Sequence, residues 1–256
     1  MHDFSGKSYI VTGASRGVGL ATAKLLAAGG GRVALFARDP QGVAEAARSI
    51  GDAAMAVAVD VGEQKPMFDA FERVAKEFGR LDGLVNNAGA TMVCRIENLT
   101  EPTVMNQVKA NFLGVVFGSQ AAIPHMRRSG GGRIINVTSA TARHPEEFAH
   151  LSIYAATKMA AERFTAELRE EVKADKIGVT TFSPGTIDTT FGAVLNADEG
   201  AAGFKKWLEM GPLCDGIMET ATVARAIVNC FALPDGVAFD FVEIRPNKPT
   251  LKAMRV

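Results

Sequence analysis

The chain has little of what builds a metal or disulfide framework: only Cys94, Cys214 and Cys230 among 256 residues, at wide spacings and without a CxxC pair or a Cys/His cluster. That pattern argues against structural zinc, and an odd number of thiols points to a reducing compartment where cysteines serve as packing residues. An excess of charge of one sign is also missing, since Lys plus Arg and Asp plus Glu each total 28 and the pI is about 6.9. A chain without a basic field has nothing to draw it to nucleic acid or anionic lipid, so neither is expected as a partner. No apolar run reaches the ~20 residues of a membrane span, and no leader precedes the first strand-like segment, so a cytoplasmic location without an anchor is expected. Low-complexity tracts, internal repeats and breaks in composition are absent too, which predicts one domain over residues 1–256.

What is present is an alternation of short β-prone runs with longer helical stretches. Strands are expected at Ser8 to Val11, Arg32 to Ala37, Ala54 to Val59, Leu84 to Asn86, Arg133 to Val137, Ile177 to Phe182 and Phe239 to Ile244. Helices are expected at Leu20 to Ala28, near 41–50, 64–78, 101–128 and 153–174, and from Thr222 to Ala232. Such alternation predicts an α/β fold, a three-layer αβα sandwich around a mostly parallel sheet of seven strands.

Gly13, Gly17 and Gly19 lie between the first strand and the first helix. Missing β-carbons there let backbone approach a pyrophosphate, and the helix N-terminus favours negative charge, which suits a Rossmann-type dinucleotide turn; the spacing departs from G-x-G-x-x-G, and glycines also make ordinary βα loops. Far downstream, Tyr154 and Lys158 stand one helical turn apart and share a face, after Ser139. A phenol, an ammonium and a hydroxyl are the parts needed to move a proton while a bound dinucleotide moves a hydride. Lys158 beside a cationic nicotinamide is expected to lower the phenolic pKa from about 10 toward neutrality.

Five motifs occur in order: TGxxxGxG at Thr12 to Gly19, Asn86-Asn87-Ala88-Gly89, Ser139, Tyr154-Ala-Ala-Thr-Lys158 and Pro184-Gly185. From residue 6 to about 246 the chain resembles the short-chain dehydrogenase/reductase family. The resemblance implies Tyr154 as general acid/base, Lys158 as the ribose-binding cation that favours the tyrosinate, and Ser139 as donor to the substrate oxygen. Asn111, in Lys-Ala-Asn-Phe-Leu-Gly, would hold a water linking Lys158 to solvent, and Thr138 is the rival of Ser139. Cofactor contacts implied in the same way are Gly13, Ser15, Arg16, Gly17, Val18 and Gly19, then Asp60 and Val61 at the adenine. Asn87, Ala88 and Gly89 follow, with Pro184 and Gly185, and with Ile187 and Thr189 at the carboxamide. Family members commonly pair through the helices near 101–128 and 153–174, so a homodimer or homotetramer is expected.

Cofactor choice follows from a missing carboxylate. The second strand ends Leu35-Phe36-Ala37-Arg38, so the position of an acidic ribose ligand holds Ala37, while Arg38 and Arg16 supply cations for a 2′-phosphate. NADP(H) is favoured, with NAD(H) as the alternative, and Asp39 is close enough in sequence to offset part of the charge. A segment at about 190–218 is expected to cover the substrate, offering Phe191, Val194, Leu195, Phe204, Trp207, Leu208, Met210 and Met218, with Lys205, Lys206 and Glu209 toward solvent. That lining suits an apolar ketone or alcohol. Fourteen residues, Ala140 to Ile153, separate Ser139 from Tyr154, somewhat more than is usual in the family. They carry His144, Pro145, Glu146, Glu147, Phe148 and His150, and read first as an exposed loop with ordinary surface histidines, second as a substrate-recognition loop. The expected activity is NADP(H)-dependent interconversion of a ketone and a secondary alcohol. An NAD-dependent alcohol or steroid dehydrogenase and a non-catalytic dinucleotide sensor are the alternatives.

Overall fold

A computed structural model describes residues 2–145, 149–188, 197–210 and 216–247. Seven strands form one sheet: β1 (Ser8–Thr12), β2 (Arg32–Ala37), β3 (Ala54–Ala58), β4 (Gly83–Asn86), β5 (Gly132–Val137), β6 (Ile177–Pro184) and β7 (Phe241–Ile244). Their order is β3-β2-β1-β4-β5-β6-β7, and all six pairings are parallel, where the sequence predicted a mostly parallel sheet.

Alternation along the strands sends neighbouring residues to opposite faces. Val11, Leu35, Val85, Ile135 and Phe182 face one layer, where they pack with Val18, Ala23 and Leu26 of α1 (Gly17–Ala28), Val43 of α2 (Pro40–Arg48) and Ile227 of α8 (Thr220–Phe231). Ile10, Ala34, Phe36, Leu84, Ile134 and Val179 face the other. There they meet Met67 and Phe71 of α3 (Gln64–Phe78), Met126 of α5 (Gly114–Ser129) and Leu168 of α6 (Ser152–Val172). With both faces covered the central strands can be apolar throughout, and each large side chain buried contributes on the order of 1.5–3 kcal/mol.

Local chemistry sets the helix ends. Asp39 caps α2 by accepting from the amides of Gln41 and Gly42, both at 3.1 Å, with Pro40 as the first helical residue. Thr100 and Thr103 form a capping box at the start of α4 (Glu101–Val108), and Gly130 stops α5 at φ +87°. The single helix expected at 101–128 is instead three pieces, because a π-helical turn at Lys109–Leu113 separates α4 from α5. A further helix, α7 (Ala197–Met210), lies in the segment the sequence left without assigned structure. The other expected elements all form, with ends shifted by no more than three residues.

The chain leaves β1 toward one edge of the sheet and returns at β4 to build the other. In an open α/β sheet that reversal opens a crevice at the carboxyl ends of the strands. Thr12, Ala37, Asn86, Val137 and Pro184 end their strands there, next to the motifs singled out by the sequence.

Candidate active site

The glycine turn is locked to the end of β4. Thr12 Oγ1 accepts from the amides of Asn87 and Ala88, each at 3.0 Å, and Asn87 Nδ2 donates to the carbonyls of Thr12 (3.0 Å) and Gly13 (3.3 Å). Gly13 and Gly17 have φ of +64° and +58°, where a β-carbon is disfavoured. A β-carbon on Gly13 would also lie 2.8 Å from Ala88 Cα, and one on Gly19 would lie 2.7 Å from Asn87 Nδ2. Ser15 is half-buried, Val18 is buried, and Gly89 is half-buried beyond Ala88. No side chain caps the N-terminus of α1, so its first amides face the crevice free for an anion. Backbone that only glycine permits, beneath uncapped amides, fits a dinucleotide pyrophosphate.

Around this turn the adenosine-side candidates occupy three loops. Arg16 and Arg38 are exposed, and Arg38 Nη1 donates to Asn106 Oδ1 of α4 at 3.2 Å. Asp39, which the sequence offered as a partial neutraliser, spends both carboxylate oxygens capping α2. Asp60 Oδ1 accepts from Gly62 N at 2.9 Å, and Val61 is buried against Gly114. Beyond β6, Gly185 N–H donates to Ile244 O at 2.9 Å, and Ile187 bridges Met218 in a one-residue parallel pairing that brings the chain after α7 back beside β6. Pro184 ends β6, while Thr189 lies outside the described residues, as do Phe191, Val194, Leu195 and Cys214 and the side chains of Phe204, Leu208, Glu209 and Met210.

Tyr154, Thr157, Lys158, Ala161, Glu162, Thr165 and Leu168 form the buried stripe of α6. The stripe has helical spacing but is largely polar, which an ordinary amphipathic helix would not bury. Tyr154 and Ser139 are joined through their side chains, and Ser139 Oγ also accepts from Thr141 Oγ1 at 3.0 Å and from Thr141 N at 3.3 Å. Lys158 Nζ donates to Val137 O at 2.9 Å and lies 5.8 Å from the centre of the Tyr154 ring. Thr138, the rival hydroxyl, turns away and donates to Glu162 Oε1 at 3.0 Å.

Charge in this stripe, without a cofactor beside it, is set by burial. Burial pushes the Tyr154 phenol up to about 12, with the Ser139 hydrogen bond acting in the opposite direction. Burial pulls the Lys158 ammonium down to about 8. The chain by itself therefore raises the phenol's pKa, because loss of water penalises tyrosinate more than the neighbouring hydroxyl favours it.

Asn111 sits in the π-helical turn. Its Oδ1 accepts from Ala90 N (2.8 Å), and its Nδ2 donates to Ala90 O (2.8 Å) and Thr157 Oγ1 (3.0 Å). Both Nδ2 hydrogens are spent tying the loop after β4 to α6, while Oδ1 keeps a second acceptor position. Single-turn π segments recur at functional sites because they reorient one residue within a helix.

Over the phenol, Val93, Leu151 and Trp207 pack with Tyr154, and Trp207 Nε1 donates to Ala149 O at 2.7 Å, which fastens α7 to the loop before α6. Lys205 and Lys206 face solvent as expected. A cavity of about 210 Å³ lined by Thr141, Pro145, His150, Leu151, Ser152 and Ala155 adjoins Ser139's partner. A larger one, about 590 Å³ and lined by residues including Lys76, Arg80, His125 and Ser129, lies at the opposite end of the strands, away from all of these groups. His144 and His150 are not ordinary surface histidines. His144 Nε2 is 3.0 Å from Glu243 Oε1 of β7, and His150 adopts φ +61° with its carbonyl accepting from Cys94 N. Cys94 and Cys230 are buried and take part in no disulfide among the described residues, and no cluster of metal-ligating side chains exists among those residues. No described helix is long and apolar enough to cross a membrane.

Sequence reasoning gave no role to Thr141 or Glu162, nor to Thr12 and Thr157 inside their motifs. The stripe 154, 158, 162 was the available signal for Glu162; the threonines carried none, since a hydroxyl's partner depends on tertiary neighbours.

Residues 7–200 match the short chain dehydrogenase family, and the chain belongs to it. An uncharacterized oxidoreductase of Staphylococcus epidermidis is 30% identical over 240 residues, covering 94% of this chain and 97% of the relative. A 3-oxoacyl-acyl-carrier-protein reductase of Chlamydia pneumoniae is 32% identical over 211 residues, 81% of this chain and 83% of that protein. Among solved structures, an alcohol dehydrogenase from the archaeon Thermococcus sibiricus complexed with 5-hydroxy-NADP superposes with a TM-score of 0.81 at 25% identity, covering 95% of this chain and 98% of the other. The chain is thus an oxidoreductase of this family.

Proposed function

We propose that the chain is an NADP(H)-dependent oxidoreductase interconverting a ketone and a secondary alcohol on a largely apolar small molecule. The observation that carries this reading is the Ser139–Tyr154 hydroxyl pair, with Lys158 one turn further on, at the carboxyl end of the sheet beside a turn of glycines. When bound, the nicotinamide supplies a hydride to the carbonyl carbon, or takes one from the alcohol. Tyr154 gives its proton to the carbonyl oxygen in reduction and recovers it in oxidation. Ser139 donates to that same oxygen, where negative charge develops. Lys158 would turn from Val137 O to the nicotinamide ribose, placing its charge below the phenol. Once there, an ammonium in a dry site would offset the burial that holds Tyr154 near 12.

The 2′-phosphate of NADP(H) would lie between Arg16 and Arg38, with Ala37 presenting no carboxylate against it. The NADP-bound family members among the structural neighbours support the same cofactor. Apolar contacts among Val93, Leu151 and Trp207 support an apolar substrate. An NADPH-consumption screen across sugar, steroid, aromatic-ketone and acyl-thioester carbonyls tests the reading; NADPH binding without turnover of any class would leave only a dinucleotide sensor. Exposed Met105 on α4 and Met159 on α6 support a symmetric homodimer or homotetramer. Sedimentation is expected to show one, and a 27.1 kDa monomer at micromolar concentration would remove it.

A further inference from the structure

Two turns beyond the reacting phenol, α6 carries a carboxylate that the proposed chemistry leaves unused. Glu162 follows Lys158 by one turn and shares its face, and it is 4% exposed. A charge so buried is tolerated only when paired and hydrogen-bonded. Both oxygens are engaged: Oε1 accepts from Thr138 Oγ1 at 3.0 Å, and Oε2 accepts from Arg143 Nε at 2.8 Å.

These two partners bracket Ser139. Thr138 is the residue before it, and its amide donates to Phe182 O at 2.7 Å, so the end of β5 is held from two sides. Between Thr138 and Arg143 the chain makes a 3₁₀ turn, Ala140–Ala142, closed by Ala142 N to Ser139 O and Arg143 N to Ala140 O, both at 3.0 Å. The Arg143 guanidinium then lies 4.0 Å from the centre of the Phe241 ring, which ties the outer end of the segment to β7. The segment bearing Ser139 is therefore clamped at both ends to one carboxylate, on the helix that carries Tyr154.

We propose that Glu162 is a positioning residue, which through Thr138 and Arg143 fixes the Ser139 hydroxyl against the Tyr154 phenol and so fixes where the substrate oxygen sits. The inference rests on the carbonyl reduction proposed above. Its magnitude follows from geometry, since a misplacement of about 1 Å can cost ~100-fold in rate.

The test is a double-mutant cycle with the full-length chain, NADPH and the fastest ketone of the carbonyl screen. Glu162→Ala is expected to lower kcat about 10- to 100-fold while the NADPH dissociation constant, measured without ketone, stays unchanged. Glu162→Gln keeps an acceptor for Thr138 but sets an amide NH2 against Arg143 Nε–H, and is expected to recover only part of that loss. In a Ser139→Ala background, Glu162→Ala is expected to have almost no further effect, because the group it positions is gone. Equal loss in both backgrounds, or a matching rise in the NADPH dissociation constant, would overturn the proposal. Should Glu162→Ala not fold, Glu162→Met with Arg143→Met replaces the pair by apolar groups of similar length and enters the same cycle. Wild-type protein that binds NADPH yet reduces no ketone would instead defeat the carbonyl-reductase reading, an outcome distinct from an additive cycle.

Discussion

At the glycine turn the groups that would meet a cofactor are backbone amides and missing β-carbons, none of which titrates, whereas at Tyr154 they are buried side chains whose ionisation the fold has shifted. The first region is held by direct strand-to-strand bonds through Thr12 and Asn87. The second is held by a polar stripe on α6 and by segments that reach it from β5, β7 and α7. A cradle of amides presents the same field at every pH. A phenol at about 12 beside an ammonium at about 8 depends on what binds next to it, so catalytic readiness is conditional on the cofactor while cofactor binding is not conditional on catalysis.

Tyr154→Phe separates the two regions most sharply. It is expected to lower turnover by about 10²- to 10⁴-fold while NADPH binding, followed by nucleotide fluorescence, stays near wild type. A variant retaining the wild-type rate on an accepted ketone would remove the phenol from the mechanism.

Next in size is cofactor preference, a charge effect at the rim of the cradle. Charge-assisted contacts from Arg16 and Arg38 to a 2′-phosphate should each contribute about 1.5–3 kcal/mol before solvent screening reduces them. Ala37→Asp with Arg38→Leu is expected to reverse a preference for NADPH over NADH and to flatten its salt dependence. Equal binding of both cofactors by the unmodified chain would mean that Arg38 stays with Asn106.

Gly19→Ala probes the cradle itself. The added methyl meets Asn87 Nδ2 and the Gly13 carbonyl, an overpacking expected to cost about 1–3 kcal/mol and to weaken NADPH and NADH by the same factor. A change in the preference between the two would show that the turn reads the 2′-phosphate as well as the pyrophosphate.

A different readout is the stability of the cofactor-free chain. Lys158 holds its proton to pH 10.5 when unfolded but only to about 8 when folded, so between these values the unfolded chain binds more protons and stability rises with pH. Tyr154 works the other way above pH 10, because its folded value is about 12. Thermal unfolding from pH 7 to 10 is therefore expected to show wild type gaining on Lys158→Met as pH rises; parallel curves would mean that Lys158 is not desolvated.

The same contrast decides what the sequence disclosed. Seven apolar runs and Gly13, Gly17 and Gly19 identified the sheet and the turn, because short apolar runs and obligatory glycine are local properties. The 154–158 spacing placed the phenol and ammonium correctly on one helix face. It did not disclose the direction of the phenol's shift, which is set by water excluded from every side. Nor did it separate α4 from α5, since the residues of a π turn have ordinary helical propensity and the turn exists because Asn111 has partners on another loop and another helix. His144 read first as a surface residue, and Arg143 carried no reading, because their partners, Glu243 for the one and Glu162 and Phe241 for the other, are remote in sequence.

That π turn also makes residues 109–113 an angular offset. One residue more than an α-helical turn requires rotates everything after it by about 100° relative to everything before it. Gln107 of α4 and Val115 of α5 are both buried, although an unbroken helix would point them about 80° apart. Deleting one residue here would leave a straighter and locally better helix whose second half faces the wrong neighbours, with Asn111 swung off Thr157. Single-residue length changes between Val108 and Gly114 therefore cost the phase of the helix, whereas substitutions at Lys109 or Phe112 that keep the count leave it untouched.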